Sequence, residues 1–284
     1  MSTVTLSPSR VASLRGELTK LPAFFRRDLL IAWSYRMAFF TTLAGMLLQA
    51  VMFYFVGKMV NPDVLPEFGG ARVTYMEFVA VGLALSAFIA LGLGQVATAV
   101  RSEQMMGTLE SLLMTPTAPA TIQLGSVLYS LVFIPLRMLL FLALLVVAFG
   151  VDLRLEGVVP AAVVLVSFVP FIFGLGLLSA AAVLTFKQGT VGIGFLVTVL
   201  TIGSGAFYPL DILPGWVQAT AEANPLALAI EGMRDALLGG AGWSTVGESV
   251  AILLPLSLVS LAAGIFAFRL GLRRERVRGS IGLY

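Results

Sequence analysis

Residues Val158–Phe186 read VVPAAVVLVSFVPFIFGLGLLSAAAVLTF, with no charged side chain between Glu156 and Lys187. A helix rises about 1.5 Å per residue and the hydrocarbon core of a bilayer is about 30 Å thick, so about 20 apolar residues suffice to cross it. This run meets both requirements and reads as a membrane span. Five other stretches qualify on the same grounds, at about 37–57, 76–100, 125–150, 189–208 and 247–269. The expected fold is an all-α membrane protein with six transmembrane helices.

Composition points the same way. Of 284 residues, 58% are hydrophobic and 12% charged, whereas a soluble domain carries about 25% charged. Mean hydropathy is +0.98, which leaves too little polar surface for a water-soluble globule. Histidine and cysteine are both absent. Their absence removes disulfides, thiol nucleophiles, Cys/His metal sites, haem ligation and His-based triads. The sequence has no G-x-x-x-x-G-K-[ST] phosphate loop, H-E-x-x-H, G-x-S-x-G elbow or EF-hand loop. No catalytic residue, cofactor site or metal site is therefore expected here, and the chain reads as a polytopic membrane protein whose work is mechanical or conductive rather than covalent. The paired mid-span carboxylates of many ion-coupled carriers are also missing. An ion-coupled carrier working alone, or a membrane enzyme acting on lipids through Asp or Glu, remain the alternative readings.

Six spans place both termini on one side. Arg10, Arg15, Lys20, Arg26, Arg27 and Arg36 precede the first span; Arg269, Arg273, Arg274, Arg276 and Arg278 follow the last; Arg101 and Lys187 lie in loops on the same side. The opposite side holds only Lys58, Arg72, Arg154 and Arg234. By the positive-inside rule the termini are cytoplasmic, which implies a plasma membrane protein. The net charge of +3 thus reflects anchoring beside anionic lipid, and nucleic acid is not an expected partner. The lead before residue 37 has no short apolar run with a cleavage site, so no cleaved signal is expected. Three regions are expected: 1–36, cytoplasmic with an interfacial helix; 37–272, the membrane domain; and 273–284, a basic tail.

Four features depart from a plain bundle. Residues 13–36 mix Leu14, Leu18, Leu21, Phe24, Phe25, Leu29 and Trp33 with basic residues, the pattern of an amphipathic helix lying along lipid headgroups. In the second span Gly82, Ser86, Ala90, Gly94 and Thr98 recur every four residues, forming a ridge of small side chains on one helix face. The loop after it can form a short helix over Thr108 to Met114, with Leu109, Leu112 and Leu113 on one side and Glu110 on another; Gly107 precedes it and Pro116 closes it. Such an apolar face suits a groove on a partner protein.

The fourth feature is the stretch 203–243. Pro209 and Pro214 interrupt it, Pro214 can open a short helix, and Asn224-Pro225 reads as an N-cap with proline at the first helical position. Leu226, Ile230, Met233 and Leu237 form a stripe, Glu231, Arg234 and Asp235 group on another side, and Gly239-Gly240 stop the helix. The expectation is two short amphipathic helices that dip into the outer leaflet between spans five and six and return, with Tyr208, Trp216 and Trp243 at headgroup depth. Arg137 in span three and Glu77 near the outer end of span two are candidate intramembrane polar residues. Pro135 offers an alternative for Arg137, by ending an interfacial segment and letting the side chain snorkel.

From about Arg27 to Leu272 the chain resembles the ABC-2 type permeases, the membrane subunits of a class of ATP-binding-cassette exporters. The resemblance is most specific at Glu103-x-x-x-Gly107-Thr108-Leu109-Glu110-x-Leu112-x-x-x-Pro116, which is similar to the family's cytoplasmic coupling segment. It is specific again at Tyr208-Pro209-x-x-x-Leu213-Pro214-x-Trp216 through Asn224-Pro225-Leu226 to Arg234 and Gly239, which looks like the family's re-entrant external helices. The resemblance implies a homodimer or heterodimer of such subunits bound to two copies of a separate ATPase that carries the ATP and Mg. It further implies export of a drug, lipid or lipid-linked glycan, with the coupling segment and N-terminal helix receiving the ATPase stroke.

Overall fold

The computed structural model describes residues 16, 19–105, 119–186, 190–221, 223–240 and 242–278. Among them the regular structure is helical, apart from an isolated bridge between Phe68 and Ala71. In chain order the helices are α1 (Leu21–Ser34), α2 (Arg36–Gly57), α3 (Tyr75–Met105), α4 (Pro119–Phe149), α5 (Val158–Phe186), α6 (Thr190–Ile202), α7 (Gly215–Ala221), α8 (Pro225–Leu237) and α9 (Trp243–Arg278). Short 3-10 turns lie at Pro62–Val64, Leu155–Gly157 and Leu210–Ile212.

Among the described residues five helices are long and apolar enough to cross a membrane, over Arg36–Gly57, Tyr75–Gly94, Leu128–Phe149, Leu155–Ala182 and Trp243–Gly271. The described part of the expected fifth span, 189–208, holds a shorter helix. Its described helix α6 has 13 residues, about 20 Å at the helical rise and too short to cross alone. The chain leaves the helix at Gly203 and turns through Gly205 at φ +64°, a backbone conformation that glycine adopts without steric cost. Tyr208 closes the break by donating its hydroxyl to the Ile202 carbonyl.

The centre of the bundle is α3 and α5. Within their spans 67% and 56% of residues are buried by the chain itself, against 11% for α2; α2 and the similarly open α9 present their apolar surface outward. In lipid there is no hydrophobic drive to pair helices, so close approach at small residues has to supply the contact. That is how α5 and α9 meet. A side chain at Gly174 would strike Ser260, and one at Gly264 would strike the Gly174 main chain. Gly92 of α3 similarly lies against Ile172 of α5. The large buried side chains include Phe78, Leu85, Phe141, Leu145, Phe168 and Leu253.

Contacts at the helix ends fix their grouping. Tyr54 packs on Phe149, Gly57 on Tyr75, and Phe53 stacks on Phe207 with ring centroids 5.0 Å apart. These bring the end of α2, the start of α3 and the end of α4 to one end of the bundle, beside α8. α1 packs on the start of α4, where Phe24 covers Gly125 and Phe25 meets Tyr129 and Phe133. The described start and finish of the chain therefore share the opposite end.

Candidate functional site

The segment from Gly203 to Gly240 forms the most elaborated polar arrangement in the described residues, and α8 is its centre. Asn224 caps α8: its side-chain oxygen accepts from the Leu226 N–H at 3.0 Å, and its amide donates to the Leu200 carbonyl of α6 at 2.7 Å. One buried side chain thus satisfies an orphan donor of α8 and an orphan acceptor of α6. At the other end the Leu238 and Gly239 N–H groups both return to the Arg234 carbonyl, and Gly240 takes φ +61°. The Leu237 carbonyl accepts from the Arg154 N–H at 2.8 Å. Gly69 and Gly157 come so close to the carbonyls of Gly239 and Ala236 that neither position has room for a side chain. Loops 58–74 and 150–157 consequently close over the end of α8.

α8 is enclosed by the chain itself on most of its circumference. Pro225, Leu226, Ala227, Ala229, Ile230, Gly232, Met233, Arg234, Ala236 and Leu237 are all buried, and the helix packs on α5, α9 and α3. The apolar stripe alone would leave the opposite face free. Ala227 on one flank of the stripe and Ala229, Gly232 and Ala236 on the other let neighbours approach from the sides, so only the face of Leu228, Glu231 and Asp235 stays less covered; Gly232 has Val164 and Ser249 against it. The acidic and basic group is also split: Glu231 is exposed, Asp235 half-buried and Arg234 fully covered.

Arg234 makes the site. Its Nε donates to the Phe78 carbonyl of α3 and its Nη2 to the Ala206 carbonyl of the break after α6, each at 3.0 Å. The guanidinium lies 3.6 Å from the centroid of the Phe78 ring, a cation–π contact strengthened by desolvation. Burial pulls its pKa down from the ordinary guanidinium range to about 9, with Glu231, Asp235 and Tyr75 pulling the other way, so it remains cationic at neutral pH. Burial, reinforced by Glu231 and opposed by Arg234, raises the Asp235 carboxyl. Around the clamp, Gly82 of α3 gives the Ala206 carbonyl its room, and Tyr75 donates to the Phe207 carbonyl at 2.9 Å. Nothing in the spacing of Arg234 distinguished it from a solvated cation. The small residues surrounding it at 227, 229, 232 and 236 were the available signal.

The other sequence candidates are placed as follows. Pro209 leads extended into the Leu210–Ile212 turn, and Pro214 directly precedes α7. Trp216 is exposed on α7, and Gln218 ties that helix back to the Leu213 carbonyl at 2.8 Å. Glu77 belongs to a capping box. Its carboxylate accepts from the Thr74 N–H at 2.7 Å while the Thr74 hydroxyl accepts from the Glu77 N–H at 3.3 Å, and its second oxygen accepts from the Asp152 N–H at 3.4 Å. The Thr-x-x-Glu spacing was readable as that motif. α4 runs unbroken through Pro135, so no interfacial segment ends there. Arg137 is half-buried, its guanidinium sits 5.0 Å from the ring of Phe39 in the first turn of α2, and its Nε is enclosed without a hydrogen-bond partner. Glu103 falls in the last turn of α3, while Gly107, Thr108, Leu109, Glu110, Leu112 and Pro116 lie outside the described residues.

Comparison with known proteins decides the family. The pattern described as ABC-2 type transporter matches residues 19–238, from just before α1 to the end of α8. The chain belongs to the ABC-2 type transporter family. Among curated proteins it is similar to the linearmycin resistance permease protein LnrN of Bacillus subtilis, 36% identical over 39% of this chain and 29% of that one. It is also similar to the inner membrane transport permease YadH of Escherichia coli, 29% identical over 58% of this chain and 64% of that one. The chain thus spans less than two thirds of either relative. As an ABC-2 permease it is a membrane component of a transporter.

Proposed function

We propose that the chain is the permease subunit of an exporter that moves an amphiphilic cargo, a drug, lipid or lipid-linked glycan, outward across a bacterial or archaeal plasma membrane. The observation that carries the reading is the family match running from α1 to the end of α8. ATP and Mg are used by a separate ATPase, two copies of which bind a homodimer or heterodimer of permease subunits. Outward movement is supported by the relative named for linearmycin resistance, since removing a toxic compound is one way a permease confers resistance.

In this reading the bundle end that carries α1 is cytoplasmic and the α8 end faces out. The basic side chains concentrated at the former support that orientation. The segment Glu103–Pro116 receives the ATPase movement, the stretch 189–208 supplies the remaining crossing of six, and α7 and α8 form the re-entrant outer module. Closure of the ATPases biases the spans between two packings.

Purification from the native membrane in mild detergent tests the proposal. The chain is expected to co-purify with a Walker-motif ATPase and to require ATP for movement of cargo in proteoliposomes. Glu110→Arg is expected to weaken ATPase association or uncouple hydrolysis while leaving insertion intact. Transport that persists without ATP, in a preparation lacking any nucleotide-binding protein, overturns it.

A further inference from the structure

Three spanning helices carry an interior proline: Pro135 in α4, Pro170 in α5 and Pro255 in α9. Proline has no N–H for the carbonyl four residues back and its ring crowds that carbonyl. One rung is therefore lost at each of Leu131, Val166 and Ala251, and the helix bends more readily there.

The fold brings these three positions to one level. Pro170 is twelve residues from Val158 and Pro255 twelve from Trp243, about 18 Å from the α8 end at the helical rise; Pro135 is fourteen from Phe149, about 21 Å. Side-chain neighbours place them together independently. Gly232 has Val164 of α5 and Ser249 of α9 beside it, and Gly174 of α5 lies against Ser260 of α9. These contacts show α5 and α9 running in the same direction, with Pro170 opposite Pro255 between them. Pro135 in turn shares a small cleft with Val169, Ile172 and Phe173 of α5, which Gly92 of α3 also lines. α3, which has no proline, thus places Gly92 at the shared level.

Above this level the bundle is tied into one body. Arg234 joins α8 to α3 and to the break after α6, Asn224 joins α8 to α6, and Gly82 and Tyr75 hold the break against α3. Below it α5 and α9 stay locked through Gly174, Ser260 and Gly264, with the Ser260 hydroxyl donating to the Phe171 carbonyl at 3.3 Å. Bending is left as the free movement between the two.

The geometry points to a transverse hinge: the α8 end moves as a rigid block against the α1 end, flexing at Pro135, Pro170 and Pro255. The block includes the module that a movable outer lid would require to be loose, so access changes by tilting the whole block. Only the purpose of the motion rests on the permease reading; the hinge itself does not.

The full chain in lipid nanodiscs tests this without cargo or ATPase. It has no cysteine, so spin labels are confined to introduced sites, and dilution with unlabelled chain removes distances between copies. A pair at Arg72 and Glu231 reports within the block, and a pair at Glu231 and Arg273 reports across the hinge; all three positions are exposed. The across-hinge distance distribution is expected to be at least twice as broad as the other. P135A/P170A/P255A is expected to narrow it to the within-block width and leave that width unchanged, with P255A alone narrowing it in part should the triple variant fail to fold. Equal widths in the wild-type chain, or a broad across-hinge distribution that P255A leaves unaltered, overturns the hinge. Absence of a co-purifying ATPase would instead overturn the functional reading and leave this result standing.

Discussion

α1 and α8 are both short, both read as amphipathic from sequence, and they end in opposite environments. α1 has no buried residue, whereas ten of the thirteen residues of α8 are buried. The difference lies in the faces away from the apolar stripe. On α1 those faces carry Arg26 and Arg27, which need water or headgroups, and Arg27 pairs with Asp28 at 2.8 Å. On α8 they carry Ala227, Ala229, Gly232 and Ala236, which admit other helices, so the one cation there is enclosed. An amphipathic stripe shows which face is buried first; the size of the remaining side chains decides whether the others follow.

The sharpest way to break the contrast is Arg234→Met, which keeps the bulk and removes the donors. Two buried carbonyls, of Phe78 and Ala206, are left without these partners. Each orphaned group costs about 1–3 kcal/mol, so α8 is expected to loosen from α3 with a loss of about 3 kcal/mol. Thermal unfolding in nanodiscs measures the loss, and increased labelling of a cysteine placed at Ala227 reports the exposure. Arg234→Lys is expected to fall between, since an ammonium keeps the charge but not the planar fork. Wild-type stability in the Met variant would show that the clamp contributes nothing.

Next in size is Gly82→Ala. The added methyl meets the Ala206 carbonyl, which is main chain and cannot swing aside. Overpacking of this kind costs about 1–3 kcal/mol. The expected signature is faster hydrogen exchange over residues 203–209, with α1 unaffected. Slower or unchanged exchange would mean that the break does not depend on this contact.

How far these regions were legible in the sequence follows from the same contrast. The five long helices were readable because an uncharged run of about 20 residues leaves the backbone no alternative in lipid. Within the expected span 189–208 the helix end at Ile202 was not legible, because Gly203 and Gly205 do not interrupt the apolar run and hydropathy is blind to the turn they permit. Asn224-Pro225 announced the start of α8 through local chemistry, and Asn224 does cap it. The burial of Arg234 depends on Phe78 and Ala206, 156 and 28 residues away, and no local pattern carries that information. Glu77 was the reverse case: the Thr-x-x-Glu motif that explains it was present, but the expense of a charge near a span drew attention to transport instead.

The smallest expected effect is on the α1 side of the comparison. Phe25 meets Tyr129 at 6.3 Å and Phe133 at 6.2 Å between ring centroids, and those two rings stack on each other at 4.3 Å. Aromatic pairs of this kind add about 0.5–1.5 kcal/mol beyond area burial, and Phe25 is only half-buried. Phe25→Ala is therefore expected to release α1 from α4 locally. Hydrogen exchange should quicken within Leu21–Ser34 several-fold while the main unfolding midpoint stays within about 2 °C of wild type, as suits a change of about 1 kcal/mol or less in so large a chain. If the midpoint falls as far as for Arg234→Met, α1 is part of the cooperative core. The distinction between a surface helix and an enclosed one, drawn from burial, would then not describe how the bundle is held together.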